Sequence, residues 1–170
     1  KKIVVMAKQV PDTRNVGKDA MTPEGTVNRA ALAAIFNPED LNALEMALEI
    51  KERVAGSEVY VLTRGPQRAS DVIREAMFRC ADGGYLLSGK EFAGSDTLAT
   101  SYALSLALRK IEPDIIVAGR QAIDGDTAQV GPQVAEKLDL PQITYAEELV
   151  DINDTEITIK RRLERGSEVV

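Results

Sequence analysis

Ile3-Val4-Val5-Met6-Ala7 is apolar at every position rather than at alternate ones, which predicts a short strand buried on both faces. From residue 8 to residue 30 the pattern breaks on Pro11, Asp12, Asn15, Gly17, Pro23 and Gly25, an excursion long enough to have a task of its own and to include a hairpin. Asn37-Pro38-Glu39-Asp40 then predicts a helix start. Asn suits the cap, Pro at the first helical position wastes no amide, and two acids face the positive helix end. Leu41, Leu44 and Leu48 carry that helix to about Val54, and Gly56 ends it. A strand over 58–63, a turn at Gly65-Pro66, a helix over about 67–81 and a short strand at Tyr85-Leu86-Leu87 follow. Next come a helix opened by Asp96-Thr97 and running to Lys110, a buried strand over 114–118, a Gly-rich loop, and a helix ending near Leu138.

Strands that alternate with helices at this spacing predict an α/β fold with a doubly wound, mainly parallel sheet, because each parallel crossover needs a helix to return the chain. Ligands of such sheets sit beyond the carboxyl ends of the strands. After Tyr145 the pattern becomes alternation, with Ile157 and Ile159 on one side and Thr158 and Lys160 on the other. The expected organisation is therefore an α/β domain over 1–145 and an antiparallel hairpin extension over 146–170, cut short in what reads as the second arm of the hairpin.

Composition narrows the chemistry. The 170 residues carry no His, one Cys and a formal net charge of −6. A Ser-His-Asp triad, a CxxC pair, a thiolate-held cluster and a His-rich metal site are all excluded. Net negative charge without basic runs flanked by aromatics makes nucleic acid a poor partner. No apolar run is long enough to insert in a membrane, and with a single thiol and no secretory leader pattern the expected location is cytoplasmic. Cys80, among Met77, Phe78 and Ala81, reads as a packed thiol.

Familiar nucleotide signatures fail. The run from Gly84 to Glu91 has P-loop glycine and lysine spacing but places Glu91 where the Mg-binding hydroxyl belongs, and no GxGxxG follows the first strand. The informative stretch runs from Gly119 to Pro132, leaving a strand and entering a helix. Gly119, Ala122, Gly125, Ala128 and Gly131 are small enough for backbone amides to approach a phosphate, Arg120 could pair with one, and Thr127 and Gln129 add donors. On composition alone, a tight turn in which Asp126 caps the helix explains it equally well. Asp124 and Asp126 could share acid-base work, although capping is the simpler reading. Asp96 and Thr97 are helix-capping residues first and ribose or phosphate contacts second.

Five segments in chain order carry a resemblance: Lys8-Gln9-Val10-Pro11-Asp12-Thr13, Asn37-Pro38, Gly65-Pro66, Asp96-Thr97-Leu98-Ala99-Thr100, and Gly119 to Pro132. Together they resemble the electron transfer flavoprotein beta subunit, in a form similar to the prokaryotic branch that includes electron-bifurcating members. The resemblance implies a Rossmann-like adenine-nucleotide-binding fold, an alpha-subunit partner carrying a working FAD, and a dehydrogenase or NADH as redox partner. It also implies a bound FAD or AMP in this chain, held by Met6, Ala7, Asn37, Pro38, Glu39, Asp40, Thr63, Arg64, and residues of the long loop: Gln121, Ala122, Gly125, Asp126, Thr127, Ala128, Gln129, Val130, Gly131 and Pro132. Asp96 and Thr97 are weaker additions, and neither a catalytic side chain nor a metal ligand is expected. Two other readings stay open: a nucleotide sensor resembling universal stress proteins, and an adenylate-processing enzyme of the same fold type.

Overall fold

The structure is a computed structural model that describes residues 1–11, 34–88, 97–119, 130–143, 146–153, 155–163 and 165–170. Strand β1 (Lys2–Ala7) is followed by a short antiparallel pair, β2 (Gln9–Pro11) with β3 (Ala34–Phe36), so the excursion starts and ends as a hairpin. Helix α1 (Pro38–Arg53), strand β4 (Glu58–Arg64), a 3-10 turn over Gln67–Ala69, α2 (Ser70–Phe78) and β5 (Gly83–Leu87) come next. Then α3 (Thr97–Ile111), β6 (Ile115–Ala118) and α4 (Val130–Lys137) complete the α/β part. All these strand pairings in the main sheet are parallel, in the order β5-β4-β1-β6.

That order decides where a ligand can sit. The chain winds from β1 through α1 to β4 and through α2 to β5, then α3 carries it back across the sheet to β6 on the far side of β1. The direction of winding therefore reverses between β1 and β6, and sheets of this kind hold their ligands in the crevice outside the carboxyl ends at that point.

Period-two alternation along β1 feeds two cores. Ile3, Val5 and Ala7 join Val59, Val61, Leu44, Ala47, Ile50, Val72 and Ala76 on the α1/α2 face. Val4 and Met6 join Leu62, Leu104, Leu108 and Val134 on the α3/α4 face. The doubly wound expectation holds, with one difference. The strand after α3 begins at Ile115 and is only partly buried, because β6 is the outer strand of the described sheet. Asp114 lies before it and accepts the Lys2 N–H at 2.7 Å.

Beyond α4 lies an antiparallel sheet of three strands, β7 (Ala146–Ile152), β8 (Ile157–Leu163) and β9 (Gly166–Val169), one more than a single hairpin needs. Its Leu149 and Ile159 are buried in the same cluster as α1.

Cys80 corrects an expectation. It is exposed, Phe78 is 90% exposed and Met77 half so. The reason is backbone geometry: Cys80 has φ 89°, and Ala81 N–H donates to Ala76 carbonyl while Cys80 N–H donates to Met77 carbonyl. This is the left-handed termination of a helix, which turns Cys80 outward in a place that glycine usually takes.

The P-loop-like glycine also has a structural use. A Cβ on Gly84 would lie 2.8 Å from Ile73 Cγ2 and 2.8 Å from the Val61 carbonyl oxygen, so the glycine lets α2 close on the sheet. Among the described residues, no helix is long and apolar enough to cross a membrane, and no group of acidic, Cys or His side chains could hold a metal ion.

Candidate functional site: the crevice between β1 and β6

Three strand ends and one helix start meet at the crevice. Ala7 ends β1, Thr63 and Arg64 end β4, Gly119 follows β6, and Asn37 to Asp40 open α1. Ala7 and Thr63 are register partners in the β1–β4 ladder. Of the residues expected to hold a nucleotide, the structure therefore brings Met6, Ala7, Asn37, Pro38, Glu39, Asp40, Thr63 and Arg64 to one edge of the sheet.

Asn37 does not cap α1 with its side chain, contrary to the sequence expectation. Its carbonyl accepts the N–H groups of Asp40 at 2.9 Å and Leu41 at 3.2 Å, while its side chain hydrogen-bonds the Asp40 carboxyl. The buried carboxyl group is the stronger attractor for the amide.

Asp40 is the centre of this arrangement. Its side chain, on a residue only 7% exposed, accepts the Lys8 N–H at 2.9 Å and a second N–H from Gly119. Burial pushes the carboxyl up from 3.8 to about 7, opposed by Asn37, the two amides and the Lys8 charge. A carboxylate so placed is committed to the Asn37 side chain and to two backbone donors; through the latter it fastens the end of β1 to the end of β6. Gly119 cannot be another residue here, since a Cβ would strike the Asp40 carboxyl and lie 2.8 Å from the Glu39 carbonyl carbon. Its amide is consequently spent on Asp40, so the first amide of the 119–132 run is not a phosphate donor.

Thr63 supplies a different signal. It is fully buried at the end of β4, yet its Oγ1 has no hydrogen-bond partner among the described residues. Buried hydroxyls are nearly always satisfied, because an unmet one costs about 1–3 kcal/mol. An orphan hydroxyl beside Ala7, at the carboxyl ends of β4 and β1, is what a group bound over these strand ends would satisfy.

The remaining expected positions divide. Asp96, Arg120, Gln121, Ala122, Gly125, Asp126, Thr127, Ala128 and Gln129, with Asp124, lie outside the described residues. Thr97 opens α3, Val130 and Gly131 open α4, and Pro132 is exposed on α4. Sequence reasoning missed Lys8 as a backbone donor and underrated Asp40. The available signal was that Lys8 and Gly119 are the first residues after two buried strands, where main-chain groups must find new partners.

A family model described as "Electron transfer flavoprotein domain" matches residues 24–170. The chain is 51% identical over 168 residues to the "Acryloyl-CoA reductase electron transfer subunit gamma" of Anaerotignum propionicum, covering 97% of this chain and 61% of that protein. It is 49% identical over 168 residues to the "Electron transfer flavoprotein subunit beta" of Thermoanaerobacterium thermosaccharolyticum, covering 99% of this chain and 63% of the relative. It is 48% identical over 170 residues to the "Caffeyl-CoA reductase-Etf complex subunit CarD" of Acetobacterium woodii, covering 99% and 64%. The chain thus spans between 61% and 64% of the length of these curated relatives. With a crevice at the winding reversal of a parallel sheet and a family model matched from residue 24 to residue 170, the chain belongs to the electron transfer flavoprotein family.

Proposed function

We propose that this chain is the nucleotide-holding part of an electron transfer flavoprotein beta subunit, that it binds FAD in the β1/β6 crevice, and that it works only together with an alpha subunit. The observation that carries the reading is the buried, unmet hydroxyl of Thr63 beside Ala7 at the strand ends. Two features support an adenine cofactor: Ala7 is small at the end of β1, and the crevice lies at the start of α1, whose dipole favours negative charge. Arg120, Thr127, Gln129 and the small residues from Ala122 to Gly131 are the proposed phosphate-facing part, with residues 1–145 as the nucleotide-binding unit and 146–170 as an appendage.

Bound FAD would supply the redox chemistry, and the chain's own residues bind, orient and shield it. The proposed role needs no histidine, and the 170 residues have none. The relatives named for acryloyl-CoA reductase and caffeyl-CoA reductase favour a redox partner that acts on an unsaturated acyl-CoA, with NADH as the donor in a bifurcating version. The cytoplasm is the proposed location.

Heat release of the ligand from the purified native complex, followed by mass and visible absorbance measurements, tests this. Two flavins per heterodimer are expected. One flavin with one AMP would keep the beta-subunit reading and remove direct redox work from this chain. A nucleoside triphosphate without flavin would favour the sensor reading.

A further inference from the structure

Asp40 invites a question the cofactor reading does not answer, namely why a carboxylate is buried at a site meant for an anionic ligand. Its oxygens do not face outward as a ligand contact; they are occupied by main-chain N–H groups from both sides of the crevice, Lys8 after β1 and Gly119 after β6. These two residues are 111 positions apart in sequence and are joined through one side chain on a third element. The chain proceeds from Lys8 into the excursion that returns at β3, and from Gly119 into the segment that enters α4, so the carboxylate sets where both segments depart.

We infer that Asp40 is a positioning residue whose ionised carboxylate is a proton-sensitive latch, holding the β1 and β6 ends at the spacing that admits the nucleotide. This rests on the proposed cofactor role of the crevice. A carboxylate accepts at both oxygens, whereas a carboxylic acid turns one oxygen into a donor, and a donor facing an amide N–H repels it. Protonation therefore removes the charge and one acceptor site, and weakens the hold on the two strand ends. Among the described residues, the groups facing Asp40 are the Asn37 side chain from α1, the Lys8 amide and charge from the β1 end, and the Gly119 amide from the β6 end. Glu39 shares the first turn. Because the carboxyl titrates near 7, the latch opens and closes within the physiological range.

FAD is the probe, since its diphosphate does not titrate near neutral pH. Affinity in the wild-type chain should rise about tenfold from about pH 6 to about pH 8, the ratio of ionised fractions one unit either side of the midpoint. The amide signals of Lys8 and Gly119 should titrate together in the free chain. Asp40→Asn, which has one acceptor oxygen and one donor nitrogen, should bind weakly at both pH values. Affinity that stays flat or falls with rising pH in the wild type would overturn the latch, the fall being expected of a carboxylate that merely repels the diphosphate. If Asp40→Asn does not fold, the wild-type amide titration decides alone, and separate or absent titrations overturn the inference. Failure to bind FAD at any pH defeats the cofactor reading instead, and is told apart by the same amide titration.

Discussion

Thr63 of β4 stands directly opposite Ala7 of β1 in their parallel ladder, and its fully buried Oγ1 meets no hydrogen-bond partner among the described residues. A site residue that weakens the empty protein is expected where a ligand completes the hydrogen bonding. Thr63→Val removes the hydroxyl at constant shape. The ligand-free variant should be more stable than wild type by about 1 kcal/mol, and its FAD affinity should fall by about 1 kcal/mol or more. Urea unfolding of the free chain and a fluorescence titration with FAD check the two signs.

The pH dependence of stability tests the buried carboxyl separately. Asp40 is raised from 3.8 to about 7 in the folded chain, so the native state holds that proton more tightly than the unfolded state. Its favourable contribution is complete below the unfolded value and is lost as pH rises through about 7. The stability of Asp40→Asn relative to wild type should therefore shift in favour of the variant between about pH 5 and about pH 8, by on the order of a few kcal/mol. Chemical unfolding at both pH values gives the difference, and a constant or opposite shift would refute the burial argument. Stability and the inferred latch pull in opposite directions, as expected of a strained functional group.

Two glycines separate packing from function. A Cβ at Gly119 meets the Asp40 carboxyl and the α1 backbone, and one at Gly84 meets Ile73 and the Val61 carbonyl. Both alanine variants should lose about 1–3 kcal/mol of stability. Only Gly119→Ala should also lose its nucleotide, which a measurement of bound cofactor after gel filtration will show.

Cys80→Gly should stabilise the chain by about 0.5–1 kcal/mol, because φ 89° is strained for any residue with a Cβ and free for glycine. The thermal midpoint should rise with cofactor content unchanged; a fall would mean that the thiol packs after all.

Much of the parallel sheet was legible because continuous apolar runs such as Ile3 to Ala7 and the Asn37-Pro38 helix start report on local backbone needs. Long-range commitments were not legible. Nothing around Asp40 announces that its oxygens will bind Lys8 and Gly119, 32 positions before and 79 after it, so Asn37 was read as a cap when its side chain turns to Asp40. Met77 and Phe78 look like core next to Cys80, yet α2 buries the face that carries Val72 and Ala76 and leaves them on the surface. The partial burial of β6 depends on sheet order, which no local pattern encodes. Thr63 could be named as a strand-end residue, but its unmet hydroxyl required the surrounding atoms to be placed.

The central claim is that the nucleotide sits where β1, β4 and β6 end. An amide-detected NMR titration of the chain with FAD measures this directly. The largest shifts should fall on Ala7, Lys8, Asp40, Thr63, Arg64 and Gly119. Shifts centred instead on the opposite sheet edge, around Lys2, Glu58 and Ile115, or on the β7–β9 appendage, would contradict it.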